Sequence, residues 1–137
     1  NETDYYSQPS QAALDEAKLY KIENFYRINQ TYGSFSSVEI QNIKNYLDAG
    51  SPVIVSVITD TNMLSPEAKN AIGEYVWNDQ GIKSGGHAMC IIGYENSWGF
   101  KAMNSWGPYW GNNGFIWIDV PFFQNEVGTS AYIIEDY

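Results

Sequence analysis

The chain has 137 residues, 44% of them hydrophobic and 17% charged, with a net charge of −9. This is the composition of one globular domain or part of one, long enough to bury a core. The apolar runs Pro52–Ile58 and Ala88–Ile92 fall far short of the roughly 20 residues that cross a bilayer, and the scattered Lys and Arg residues form no patch for phosphate, so neither a membrane nor a nucleic acid is an expected partner.

Asn1–Ser10 has neither the basic start nor the apolar stretch of a signal peptide. From Pro9 to Tyr20 the chain reads as a helix, with Pro at an early position and Ala12, Ala13, Leu14, Ala17 and Leu19 as good helix formers. Tyr20, Ile22, Tyr26 and Ile28 then alternate with Lys21, Glu23 and Arg27, which predicts a half-buried strand ended by Tyr32-Gly33-Ser34. Ser36 followed by Glu39 is a capping box for a second helix. Ile40, Ile43 and Leu47 repeat along one face of it, and Gly50 supplies the left-handed stop. After Pro52 the β-branched run Val53–Ile58 predicts a strand buried on both faces. Ser65-Pro66-Glu67 has the signature of a short third helix.

From Gly85 onward the pattern changes to short strands separated by glycine: His87–Tyr94, Trp98–Asn104, Gly114–Val120 and Thr129–Glu135. Helices first and strands after predict an α+β class with a largely antiparallel sheet. No internal repeat is visible. Two Asn-x-Thr triplets occur, at Asn1 and Asn29, a pattern that also arises by chance. The single cysteine, Cys90, excludes a disulfide within the chain and leaves the redox compartment open.

Two features could carry chemistry. His87 is the only histidine and stands between Gly85-Gly86 and Ala88. Taken alone it reads as a satisfied strand-end imidazole, and it lacks the companions of a metal site. Asn104-Ser105-Trp106-Gly107-Pro108-Tyr109-Trp110-Gly111-Asn112-Asn113-Gly114 reads alone as a glycine-rich loop between strands with tryptophan packing. Together, Gly-His-Ala and Asn-Ser-Trp-Gly-x-x-Trp-Gly-x-x-Gly resemble the second half of the papain-like cysteine peptidases. The likeness extends back through the helix ending at Gly50 and the strand after Pro52, and covers about residues 20 to 120.

The resemblance implies a papain-like α+β fold, here its sheet-rich C-terminal half, with an antiparallel, β-barrel-like sheet and flanking helices. It implies that residues 1–137 form a single unit of a cysteine peptidase domain. His87 would be the base and acid, and Asn104 the amide that orients it. Trp106 would shield the His–Asn bond and Trp110 would stand on the leaving-group side. The Gly86 carbonyl would hold the substrate backbone, and Ala88 and Ser56 would wall a pocket for a substrate side chain. No cofactor or metal is implied, the partner is a peptide or protein substrate, and the family favours a secreted or extracytoplasmic location.

The sequence departs from the family at the nucleophile. The family's cysteine precedes the histidine by roughly 130–150 residues, whereas only 86 residues precede His87 and none is cysteine. Cys90 lies three positions beyond His87 on the same predicted strand and therefore faces the other side, where it reads as a small core residue whose thiol resists ionisation. Ser84 and Ser105 have no base arranged for them. The nucleophile is therefore expected upstream of Asn1 in a longer parent, or on a partner chain that forms the missing N-terminal half. The alternative is a non-catalytic papain-like module that binds peptides. Without its mate, the surface around His87, Asn104 and Trp106 predicts self-association, one route being exchange of Asn1–Tyr20 between copies.

Overall fold

We describe a computed structural model of the chain, covering residues 7–135. The triplet at Asn1 and the first part of the Asn1–Tyr20 segment lie outside the described residues. The first helix, α1, spans Gln11–Ala17 and is capped by Ser10, whose hydroxyl accepts from the Ala13 N–H at 3.2 Å. It is shorter than the predicted span and buries none of its residues. Strand β1 is Asn24–Arg27, and all four residues are exposed. The half-burial expected of this stretch is not found. Alternation sets which way side chains point, but among the described residues β1 is an edge strand paired only to β7 (Gly128–Glu135), and no second layer covers it.

Helix α2, Ser37–Asp48, begins at the predicted capping box. The Ser36 hydroxyl accepts from the Glu39 N–H at 3.3 Å, and the Glu39 carboxylate accepts from the Ser36 N–H at 2.7 Å. A second carboxylate oxygen accepts from the Gln30 N–H at 2.6 Å. These backbone donors, Ser36 first and then Gln30, hold the Glu39 carboxyl below its ordinary value of 4.5. Its contribution to stability is thus complete above that value and is lost as the pH falls through the lower, folded one. Ser36→Ala is expected to cost about 1 kcal/mol, measured as a lower urea midpoint with an unchanged slope. Ile40 and Ile43 bury the inner face of α2, and Gly50, at φ 82°, closes it.

Strand β2 is Val53–Asp60, with Val53, Val55 and Val57 in the core while Ile54 is 36% exposed. Burial on both faces is therefore corrected to burial on one, because only one side of the antiparallel sheet is covered. The third helix, α3, lies earlier than predicted, at Thr61–Leu64. Asp60 outcompetes Ser65 as its cap by accepting from the Met63 N–H at 2.9 Å, and Ser65 becomes the C-terminal end.

Strand β3, Val76–Trp77, is unannounced in the sequence because two residues carry no periodicity. Strands β5 (Gly99–Met103), β6 (Phe115–Ile118) and β7 follow the predicted glycine punctuation, whereas β4 (Lys83–Glu95) starts before its predicted His87, because Gly85 and Gly86 pair with Thr59 and Ile58 of β2 and Gly93 with Lys101 of β5. A short helix α4 (Val120–Phe122) and a π-helical turn (Phe123–Val127) lie between the last two.

The seven strands among the described residues run in the order β1-β7-β2-β4-β5-β6-β3 and pair antiparallel, except for β3 with β6. The class is the α+β expected, but the barrel-like sheet is not closed. Its edge strands, of four and two residues, stand at opposite ends of the order and do not pair with each other. The core lies on one face of this open sheet, where Ile40 and Ile43 meet Val53, Val55, Val57, Ile91, Phe100 and Phe123.

Asn29 of the second Asn-x-Thr triplet is 1% exposed. Its amide donates to the carbonyls of Thr31 and Thr129 at 2.7 and 3.1 Å, and its oxygen accepts from the Ala131 N–H at 3.0 Å. This side chain ties the chain after β1 to β7 and has no free amide for a glycan in the folded state.

Candidate active site

The pairing of β4 with β5 assembles the site. Cys90 lies opposite Met103, so the residues just past Met103 come alongside those just before Cys90. His87 Nε2 and Asn104 Oδ1 are 2.8 Å apart. The Ser105 N–H also donates to Asn104 Oδ1, at 2.8 Å. An N–H can donate only to the oxygen end of an amide, so this bond fixes which end of Asn104 faces the imidazole. His87 Nε2 is then the donor, and in the neutral ring Nδ1 keeps its lone pair for another proton.

His87 is half-buried and Asn104 is 9% exposed. The Trp106 ring lies over His87 with centroids 4.8 Å apart and planes 35° from parallel. Trp110 meets Trp106 edge-on at 5.5 Å. One aromatic wall therefore stands beside the histidine–amide bond and limits its access to water, which strengthens a hydrogen bond electrostatically. The loop bearing both tryptophans turns through Gly107, Gly111, Asn113 and Gly114, all at positive φ.

Gly86, Ala88 and Ser56 lie on the neighbouring strands. Ser56 pairs with Ala88 and Gly86 with Ile58 across β2 and β4. A Cβ placed at Gly85 or Gly86 would meet nothing within 4 Å. The backbone beside His87 thus faces open space on the side where a second chain could approach.

Cys90 is not a core residue as expected. It shares the open side of the sheet with Ala88, half-buried in a groove of about 270 Å3 that Ile54, Met103 and Asn104 also line. Desolvation pushes its thiol above the ordinary 9.0, which makes the thiolate scarcer still at neutral pH. Asn104 Nδ2, buried at the edge of this groove, has no hydrogen-bond partner among the described residues. Among the described residues, no cluster of three or more His, Cys, Asp or Glu side chains could hold a metal ion.

Two features behind the site had no signature in the sequence. The Trp110 indole N–H donates to the Met63 carbonyl at 3.0 Å, so α3 buttresses the tryptophan wall. Asp60, which caps α3, is fully buried. The start of α3 at Thr61 places these groups behind the wall.

Compared with known proteins, the model of the Peptidase_C39 like family matches residues 1–126. The chain belongs to the Peptidase_C39 like family. An uncharacterised peptidase C1-like protein of Acanthamoeba polyphaga mimivirus is 28% identical over 131 residues, covering 94% of this chain and 42% of that protein. Serine-repeat antigen protein 5 of Plasmodium falciparum is 30% identical over 109 residues, covering 74% of this chain and 10% of that protein.

Among solved structures, xylellain, a cysteine protease from Xylella fastidiosa, superposes with a TM-score of 0.75 at 22% identity over 96% of this chain and 46% of its own. The bromelain protease of Ananas comosus gives 0.60 at 18% identity, over 85% of this chain and 51% of its own. These likenesses establish the fold, the papain-like one that the Gly-His-Ala and Asn-Ser-Trp-Gly segments suggest. This Peptidase_C39 like chain spans less than half the length of the mimivirus protein and of xylellain.

Proposed function

We propose that this chain is the histidine- and asparagine-bearing half of a cysteine peptidase whose nucleophilic thiol lies in another part of the parent protein. The contact that carries this reading is His87 Nε2 to Asn104 Oδ1 at 2.8 Å, with Trp106 stacked on the same ring. A thiol at neutral pH is mostly protonated and needs a base to become the attacking thiolate. His87 Nδ1 would take that proton, and Asn104 would hold the ring in the tautomer that leaves Nδ1 free.

The thiolate then attacks the peptide carbonyl, and the imidazolium returns its proton to the departing amine. Water, activated by the same imidazole, hydrolyses the thioester and restores the thiol. In this reading Trp110 stands on the leaving-group side, the Gly86 carbonyl accepts from the substrate backbone, and Ala88 with Ser56 walls a side-chain pocket. The open groove along Ile54, Cys90 and Met103, with the unpartnered Asn104 amide at its edge, is the face on which the cysteine-bearing half would pack.

Cys90 does not supply the nucleophile in this reading. It sits on the open face with Ala88, and its thiol is held protonated by desolvation. The isolated chain is accordingly expected to hydrolyse no peptide–fluorophore substrate, while the parent protein, or the chain recombined with its upstream half, does so. Turnover by the isolated chain would overturn the location of the nucleophile. An upstream half with Ser, Gly or Ala in place of the cysteine would replace catalysis with the non-catalytic, peptide-binding reading.

A further inference from the structure

We propose that Asp60 is a positioning residue for His87, acting through Met63, Trp110 and Trp106. The functional meaning of this relay rests on the reading of His87 as a base; its geometry does not.

Asp60 ends β2 at a register shift beside Thr59 and is 0% exposed. A buried carboxylate is unfavourable unless donors surround it. Three N–H groups converge on this one. Its Oδ1 accepts from the Met63 backbone at 2.9 Å and from the Trp77 indole at 3.1 Å, and its Oδ2 from the Trp77 indole at 3.2 Å and the Gly81 backbone at 3.0 Å. One side chain therefore joins α3, β3 and the segment leading into β4. A cap alone would be served as well by a neutral Ser or Asn, so the carboxylate serves the junction.

The junction fixes α3, which at four residues has no stability of its own. Met63 is thereby held with its carbonyl against the Trp110 indole N–H, at 3.0 Å. Trp110 in turn braces Trp106 edge-on at 5.5 Å, and Trp106 lies on His87 at 4.8 Å. Trp106 needs such a brace because it is 41% exposed, and packing secures only part of its surface. The loop backbone has a separate tie, since the Asn112 side chain accepts from the Tyr75 N–H at 2.9 Å. Loss of Asp60 is therefore expected to free the indoles while the loop stays in place.

The test uses the chain as it is. His87 is the only histidine, so its ring-proton NMR signals are unambiguous, and the Trp106 ring current displaces them. Asp60→Asn keeps the size but replaces one acceptor oxygen with a donor. It is expected to move the His87 signals toward those of a free imidazole and to speed exchange of the Trp110 indole proton. Trp110→Phe is expected to move the His87 signals the same way, and the double variant to move them no further than Trp110→Phe alone. Ser36→Ala, destabilised at a remote cap, is expected to leave them in place.

His87 signals unmoved in a folded Asp60→Asn protein would overturn the relay and leave Asp60 a purely structural group. If Asp60→Asn does not fold, unmoved signals in Trp110→Phe overturn it equally. Failure of the peptidase reading would appear instead as an inactive parent protein, with these spectra unaffected.

Discussion

His87→Ala in the proposed parent peptidase is expected to lower kcat/KM for a peptide substrate by about 10²–10⁴-fold, the contribution of a positioned general base. The loss should fall on kcat with little change in KM, because in the proposed reading the imidazole would act on the thiol and the leaving amine and would not hold the ground-state substrate. Asn104→Ala should produce a smaller loss of the same kind. It leaves the imidazole in place but removes the acceptor, 2.8 Å away, that selects its tautomer and fixes its plane. Steady-state kinetics on the parent protein, with folding checked by circular dichroism, measure both. A His87→Ala protein that retains wild-type kcat would sink the assignment of the base.

The largest expected effect on stability lies away from the site, in Phe123→Ala. Phe123 is 0% exposed, with its ring centroid 5.0 Å from that of Phe35 and 5.4 Å from that of Phe100. Truncating a buried phenylalanine costs about 3–5 kcal/mol through lost transfer energy and the cavity left behind. Domains are stable by only about 5–15 kcal/mol in total, so this change should leave the chain close to unfolding at ambient temperature. The cavity has little prospect of collapsing. Gly128 already packs so closely that a Cβ there would lie 2.6 Å from the Phe123 carbonyl oxygen and 3.0 Å from its ring. Urea denaturation of the isolated chain measures the loss, and a change below 1 kcal/mol would mean that the π-helical turn is not a core element.

The two changes are linked through the sheet. Phe123 packs under the face of β2 and β5 that also holds Val55, Val57 and Phe100, and β4 lies between those strands. The register of β4 against β5 decides whether His87 meets Asn104, since a slip of one residue turns each side chain to the opposite face. The core thus acts on the site by fixing the register, without touching either residue.

How much was legible before folding depended on the range of each signal. The capping box at Ser36 and Glu39 and the stop at Gly50 are complete within a few residues, and the structure reproduces them. Strands β5, β6 and β7 are also found between their glycines, for the same local reason, whereas β4 runs through Gly85, Gly86 and Gly93 because tertiary pairing with β2 and β5 extends it. The pairing of His87 with Asn104 is not local, yet the spacing of Gly-His-Ala and Asn-Ser-Trp-Gly announced it through family likeness.

Other features depended on what lies above or behind an element. Val53–Ile58 is apolar throughout, but the covering layer settles on one face alone and leaves Ile54 and Cys90 on the open side. The alternating stretch from Tyr20 to Ile28 has the pattern of a half-buried strand and becomes an exposed edge. The third helix starts at Thr61 because Asp60, brought into the interior at the end of β2, collects the Trp77 and Gly81 donors from distant segments and caps Met63 at the same time.

By itself, then, the order of amino acids determined the capped helix, the glycine-bounded strands β5 to β7, the family and which histidine and asparagine meet. Those depend on neighbours in the chain or on a motif that travels intact. Tertiary structure alone decided which sheet face is covered, that the sheet stays open, that Cys90 lies outside the core, and that a buried carboxylate stands behind the tryptophan wall. Each of these arises from a contact between segments far apart in the chain, and no local pattern encodes where such segments meet.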